Sequence, residues 1–169
     1  MLYLSALSRY IVAYSLEKID VNGWFILVIS LACAKLQQGG KMKGGCHCGA
    51  IRYEMLTAPF AADFCHCRDC QRTTGAPVGA WMDFHAGQMQ WLCGKPTEYA
   101  SSDFIRRGFC AKCGSTLTYR STQYTEYLTL AIASLDNPET VAPTYHIHTD
   151  SQLPWLSIQD AHPRYPKGK

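Results

Sequence analysis

The stretches Gly44-Gly45-Cys46-His47-Cys48-Gly49 and Phe109-Cys110-Ala111-Lys112-Cys113-Gly114 decide the fold of this 169-residue chain. Each places two cysteines with one or two residues between them, and the glycines beside them allow the tight backbone turn that makes nearby sulfurs converge. Four thiolates close a tetrahedral zinc site, which is usually structural. Because 61 residues lie between Cys48 and Cys110, one zinc ion held by both pairs would join distant parts of the chain. We expect this structural site to be formed by Cys46, Cys48, Cys110 and Cys113.

A third cluster, Cys65-His66-Cys67-Arg68-Asp69-Cys70, supplies three sulfurs within six residues. Three thiolates can hold a second zinc ion from one side and leave one coordination position for water or substrate. Such an ion suits a soft ligand such as a substrate thiolate, and a zinc-bound water acting on a carbonyl is the alternative. Cys65, Cys67 and Cys70 are therefore the candidate catalytic residues, acting through the bound metal.

Two residues inside this cluster are candidate supporting groups. His66 lies between two cysteines, so its ring is expected to point away from their metal; if it filled the fourth position, the site would be structural instead. Asp69 could orient a donor near the metal or cap a helical turn.

Composition limits the class of protein. Hydrophobic residues make up 47% and charged residues 17% of the chain, which is typical of one globular domain. The formal net charge is only +3 without a long basic run, which argues against a nucleic-acid partner. An odd count of nine cysteines in tight clusters favours metal binding in the reducing cytoplasm over a disulfide framework. Cys33 and Cys93 stand alone and are expected to pack.

The first 41 residues form a separate segment, because composition changes near Gly39-Gly40. Their apolar run, Trp24 to Cys33, is shorter than the roughly 20 residues that a membrane-spanning helix needs. A weak export signal or a membrane-surface helix is one interpretation. The favoured one is that 1–41 is an extension, or the product of a start codon placed too early. The functional domain then comprises 42–166, followed by a tail at 167–169.

Strand patterns dominate after Met42, and the sequence predicts a mainly antiparallel β fold with few short helical turns. The predicted strands are 50–55, 78–84, 89–92, 116–119, 127–132 and 144–148. Helical turns are expected at 68–74 and 136–140, and the proline-containing C-terminal segment is expected to be extended. His146 and His148 would share one face of the last strand, which suggests metal or acid–base work; burial of one of them in a hydrogen bond near Trp155 is the alternative.

The order of the clusters resembles the glutathione-dependent formaldehyde-activating enzyme family, which includes centromere protein V-like proteins. The resemblance runs from about Lys43 to Pro166. Its matching stretches are Gly44 to Tyr53, Cys65 to Arg72, Gly75 to Pro77, Phe109 to Gly114, His146 to His148, and Asp150 to Trp155.

The resemblance implies a β-tent of small antiparallel sheets holding two zinc ions. By position, Cys46, Cys48, Cys110 and Cys113 match the family's structural site, and Cys65, Cys67 and Cys70 match its second or catalytic site. The named activity joins glutathione and formaldehyde to S-hydroxymethylglutathione and is classed as a carbon–sulfur lyase. A small thiol such as glutathione is thus the implied partner.

The family pattern does not supply the glutathione-binding residues. Candidates for contact with the carboxylates of the tripeptide are Arg68, Arg72, Arg106 and Arg107. Two other functions stay open: a non-catalytic zinc module that binds a protein or nucleic acid, and a thiol-based metal buffer or redox sensor. The chain lacks the long basic tail that would favour a nucleic-acid module.

Overall fold

The computed structural model describes residues 42–169, and the expectations for residues 1–41 lie outside this part of the chain. The described part is mainly β, as predicted, with one short helix, α1 (Arg68–Thr74). The strands are β1 (Lys43–Gly45), β2 (Arg52–Met55), β3 (Ala61–Cys65), β4 (Gly79–His85), β5 (Met89–Cys93), β6 (Thr97–Ala100), β7 (Ile105–Phe109), β8 (Thr116–Ser121), β9 (Tyr127–Ala131) and β10 (Tyr145–Ile147). Short 3₁₀ turns lie at Ala86–Gln88, Ile132–Ser134, Pro138–Thr140 and Thr149–Ser151.

The strands form two sheets. A three-stranded sheet has the order β1-β2-β5, and a seven-stranded sheet has the order β10-β3-β4-β9-β8-β7-β6. All neighbouring strands are antiparallel except β10 and β3, which run parallel. The fold class is therefore confirmed, with one parallel pair added to it.

The larger sheet has two faces with different chemistry, because successive side chains of a strand point to opposite sides. One face carries Ala62, Met82, Phe84 and Leu130, which pack with Tyr53 and Met55 of the smaller sheet in the main apolar core. The other face carries Asp63 and Cys65 on β3, Trp81 and Asp83 on β4, and Thr129 on β9. The first face holds the sheets together, and the second is left for polar chemistry.

All six predicted strands are confirmed within a few residues, and α1 coincides with the predicted helical turn. The turn predicted at 136–140 is the 3₁₀ turn Pro138–Thr140. Four strands, β1, β3, β6 and β7, lie outside the predicted runs. No helix within residues 42–169 is long and apolar enough to cross a membrane.

The C-terminal segment is extended, as its prolines predict, and it runs beside β10. The backbone N–H of His146 donates to Pro163 O at 2.8 Å, and that of Tyr165 donates to His146 O at 2.9 Å. His146 and Arg164 form a parallel bridge. This segment therefore covers the edge that β10 would otherwise expose.

Leu130 tests the packing between the two sheets. The side chain is fully buried, so Leu130→Ala should lower the free energy of unfolding by about 2–5 kcal/mol. Leu56→Ala removes the same atoms from an exposed position and should change it by less than about 0.5 kcal/mol. Urea unfolding of both variants measures the difference, and equal values would contradict the assigned core.

Candidate functional site

The first sulfur cluster joins turns that belong to different sheets. Cys46 and Cys48 lie in the turn between β1 and β2, while Cys110 and Cys113 lie in the turn between β7 and β8. The four Sγ atoms all lie within 4.8 Å of one another. The predicted convergence of these four cysteines is therefore observed in the geometry.

Local hydrogen bonds explain how the turns present their sulfurs. The backbone N–H of Ile51 donates to Cys46 Sγ at 3.2 Å. Gly49 and Gly114 follow the second cysteine of each pair with φ of 73° and 76°, a region that strongly favours glycine. Hydrogen bonding to Ser115 lowers the pKa of the Cys113 thiol to about 5, which favours the thiolate that a metal requires.

The spacing of these sulfurs fits zinc. Two thiolates bound tetrahedrally at about 2.3 Å from one zinc ion lie about 3.8 Å apart. The Sγ atoms of Cys46 and Cys48 are 3.6 Å apart, and those of Cys48 and Cys110 are 3.9 Å apart. Each cysteine of this cluster could thus serve as one ligand of the same ion.

The second sulfur cluster is produced by a strand-to-helix turn. Cys65 ends β3, and Cys67 is the N-cap of α1, where its Sγ accepts a hydrogen bond from the Cys70 backbone N–H at 3.3 Å. The first helical turn thereby brings Cys70 back to Cys67, and the three Sγ atoms lie within 4.8 Å of one another. Hydrogen bonds from the thiols of Cys65 and Cys70 lower the pKa of Cys67, so the cluster favours at least one thiolate.

Cys65, Cys67 and Cys70 line a cleft of about 400 Å³ that is open to solvent. The cleft lies on the polar face of the larger sheet. Its floor includes four residues that are paired across four neighbouring strands: Asp83, Thr129, Tyr119 and Arg107. Three sulfurs therefore face a space large enough for part of a small molecule.

Arg107 places a buried positive charge beside the sulfurs. Its side chain is only 8% exposed, its Nη1 lies 3.8 Å from Cys70 Sγ, and its guanidinium stacks over Tyr119 at 5.2 Å. A buried cation needs a nearby anion, and a metal-bound thiolate at Cys70 would supply one. Of the four arginines considered as anion contacts, Arg107 is the one that lines the cleft. Arg106, by contrast, donates to backbone carbonyls of 102, 103 and 105.

Two carboxyl groups that had not been singled out from the sequence also line the cleft. Asp63 is 5% exposed, and burial together with the nearby Asp83 raises its pKa to about 7. Burial also raises the pKa of Asp83, whose Oδ1 accepts from Thr129 Oγ1 at 2.6 Å. The available signal was the i, i+2 spacing of Asp63 and Cys65, which puts both on one face once 61–65 is known to be a strand.

His66 points away from the cleft, as its position between two cysteines predicts. It is fully buried, and its Nε2 lies 2.9 Å from Nδ1 of His146. His146 is also fully buried and places Nε2 2.9 Å from Asp160 Oδ2. Burial lowers the pKa of His66. The hydrogen bonds from His66 to His146 and from His146 to Asp160 connect the Cys65–Cys67 segment to β10 and the C-terminal segment on the side away from the cleft.

The expectation that His146 and His148 share a face is wrong. β10 ends at Ile147, and His148 adopts a left-handed conformation with φ of 56°. This turn directs His148 to the cleft, whereas His146 is buried against Phe64 and His66. The alternative of a buried, hydrogen-bonded histidine holds for His146, with Asp160 as its partner.

Asp69 also lines the cleft, at the first turn of α1. Arg68 donates through Nη1 to Gln71 Oε1, and Arg72 lies in the last turn of α1. Cys93 ends β5 and belongs to neither of the two sulfur clusters found within residues 42–169.

Comparison with known proteins gives one family match. The family model described as "Glutathione-dependent formaldehyde-activating enzyme" matches residues 41–151, which include both sulfur clusters.

Two curated relatives align with the chain. A Halomonas elongata protein named "Putative glutathione-dependent formaldehyde-activating enzyme" is 24% identical over 133 residues, covering 70% of this chain and 81% of the relative. An "uncharacterized lyase" of Schizosaccharomyces pombe is 32% identical over 82 residues, covering 47% of this chain and 58% of the relative. A crystal structure of a Rhodobacter sphaeroides protein aligns with 26% identity and a TM-score of 0.48, covering 60% of this chain and 92% of that one.

Metal analysis of two variants separates the clusters. The purified chain should bind two zinc ions, and Cys67→Ser should bind one while keeping its fold. Cys110→Ser should also lose one ion but should unfold at much lower urea, because structural zinc contributes on the order of 10 kcal/mol. Elemental analysis with urea unfolding measures both effects. Equal destabilisation by the two substitutions would contradict separate roles.

Proposed function

The chain belongs to the glutathione-dependent formaldehyde-activating enzyme family, and from this premise we propose that it is a zinc-dependent carbon–sulfur lyase acting on a small thiol adduct. The expected reaction resembles the formation and cleavage of S-hydroxymethylglutathione. Glutathione is the expected thiol, and formaldehyde or another small aldehyde is its partner.

One observation carries the proposal. The three sulfurs of Cys65, Cys67 and Cys70 lie within 4.8 Å of one another and open into a cleft of about 400 Å³. The four-sulfur cluster has a complete ligand set and suits a structural ion, whereas a three-sulfur set leaves room for a ligand from solution.

The reaction is an addition of a thiol to a carbonyl. The sulfur loses its proton and forms a bond to the aldehyde carbon, while the carbonyl oxygen takes up a proton and becomes a hydroxyl; cleavage is the reverse. Zinc, when bound by the three cysteines, supplies positive charge that favours the thiolate form of a substrate thiol. The cleft holds the two reactants together, which replaces an encounter in solution.

Arg107 compensates the negative charge of the site. Three thiolates and one zinc ion carry a net charge of −1, and a substrate thiolate makes this more negative. The guanidinium beside Cys70 offsets that charge at short range, and its stacking on Tyr119 fixes its position. We assign Arg107 to the binding of the anionic thiolate.

His66 supports the site without touching the cleft. Its hydrogen bond to His146, and that of His146 to Asp160, hold the Cys65–Cys67 segment against β10 and the C-terminal segment. We therefore assign His66 a positioning role rather than a catalytic one. Asp69 lies at the rim of the same cleft, where it can orient a polar group of the substrate.

The open cleft favours an enzyme over the two alternatives. A non-catalytic zinc module does not need a vacant coordination position beside a buried arginine. A redox sensor uses an exposed thiol, whereas in this cluster Cys65 and Cys70 are buried and Cys67 is half-buried.

Activity on a thiol–aldehyde pair tests the proposal. The zinc-loaded protein, mixed with glutathione and formaldehyde, should speed the approach to equilibrium of S-hydroxymethylglutathione well above the uncatalysed rate, as followed by NMR exchange. A rate equal to the uncatalysed one across a panel of thiols and small aldehydes would overturn it.

Neighbouring arginines give a matched pair of variants. Arg107→Met removes a charge-assisted contact and should lower kcat/KM roughly 10- to 100-fold. Arg106→Met removes an arginine that donates to three backbone carbonyls and does not line the cleft, and it should keep near-normal kcat/KM. Equal effects of the two substitutions would remove Arg107 from the site.

A further inference from the structure

Two residues that line the cleft each carry a buried polar atom without a hydrogen-bond partner among the described residues. These atoms are Oδ2 of Asp63 and Nε1 of Trp81, whose residues are 5% and 4% exposed. Leaving such groups unpaired is costly, so a native protein keeps them when a ligand or a water completes them. The wall of the cleft thus contains one acceptor and one donor that make no hydrogen bond to the described residues.

Both atoms lie next to the three-sulfur cluster. Asp63 and Trp81 are directly opposite each other on β3 and β4, and paired residues of this kind bring their side chains within about 5 Å. Asp63 precedes Cys65 by two residues on β3. The two side chains therefore point to the same face of the sheet, and their Cα atoms are about 6.6 Å apart along the strand.

Gly79 fixes the position of the indole. Gly79 is paired with Cys65, and a Cβ added to it would lie 2.4 Å from Trp81 Nε1. The indole therefore leans along β4 over Gly79 and towards Cys65. An alanine at 79 would occupy the same space, so glycine is required for this arrangement.

A ligand group that bonds to both atoms must accept a hydrogen bond from Trp81 Nε1 and also form one with Asp63 Oδ2. An ammonium ion could donate to Asp63 but could not accept from Trp81, and a carboxylate would be repelled by an ionised Asp63. A hydroxyl can both donate and accept, so it fits the pair whichever protonation state Asp63 adopts. Asp83 Oδ1 accepts from Thr129 Oγ1, whereas the buried Oδ2 of Asp63 has no partner among the described residues, so Asp63 is the acceptor assigned to the ligand.

We propose that Asp63 and Trp81 form a hydroxyl subsite that recognises the hydroxyl of a thiol–aldehyde adduct held through its sulfur at the three-cysteine cluster. This rests on the proposed function and adds the two residues that distinguish the adduct from the bare thioether. One carbon separates sulfur from hydroxyl in the adduct, which matches the closeness of Asp63 and Cys65 on one strand face. The indole N–H donates to the hydroxyl oxygen, and the hydroxyl shares its proton with Asp63.

A pair of ligands that differ only in the hydroxyl tests the subsite by binding alone. S-hydroxymethylglutathione, maintained by excess formaldehyde, and S-methylglutathione with the same formaldehyde present are titrated into the zinc-loaded protein. The hydroxylated ligand should bind at least about tenfold more tightly, since two buried hydrogen bonds are each worth about fivefold. Equal affinities in the unsubstituted protein would overturn the subsite.

Variants locate the preference. Trp81→Phe removes the indole N–H while keeping an aromatic ring, and Asp63→Ala removes the acceptor; each should reduce the affinity ratio about fivefold while both zinc ions stay bound. Trp155→Phe alters an exposed tryptophan that does not line the cleft and should leave the ratio unchanged.

The outcomes separate this inference from the proposed function. Turnover with an unchanged ratio in Trp81→Phe would reject the subsite and keep the enzyme. A preference for the hydroxylated ligand without turnover would keep the subsite and reject the enzyme.

Discussion

The convergence of four sulfurs from two different sheets is the constraint on which the rest of the structure depends. Cys46 and Cys48 come from the smaller sheet, and Cys110 and Cys113 come from the larger one, yet their sulfurs lie within 4.8 Å of one another. Short strands of three to seven residues offer limited packing by themselves. A metal bound at this junction would fix the angle between the two sheets.

The larger sheet then divides structural and chemical roles between its faces. Met82 on β4 and its partner Leu130 on β9 pack towards the smaller sheet. Trp81 and Asp83, which flank Met82 on β4, point to the opposite face and line the cleft. The strand-to-helix turn at Cys67 adds the sulfurs at one end of this polar face. A buried arginine and a buried carboxyl group are costly to a fold, and here Arg107 and Asp63 both line the cleft beside the three sulfurs.

Cysteine spacing made both sulfur clusters predictable, because ligands separated by one or two residues converge through local backbone geometry. The same spacing said nothing about the walls of the cleft, which come from strand pairing. The sequence did not predict β3, because its residues do not alternate between apolar and polar types. Asp63 is a polar residue at a buried position of this strand. β7 was not predicted because Arg106 and Arg107 resemble a solvated pair, although Arg107 is buried against Tyr119 and Cys70. The opposite placement of His146 and His148 depends on a single positive φ that the sequence does not mark.

The central claim is the difference in coordination between the two clusters, and zinc X-ray absorption of the fully loaded protein measures it most directly. With four and three cysteine ligands, the two ions should average three and a half sulfurs at about 2.3 Å, with the remainder a lighter oxygen or nitrogen atom. Addition of glutathione should raise the average to four. Four sulfurs per zinc before any thiol is added, or the scattering pattern of a histidine ring at the second ion, would contradict the account.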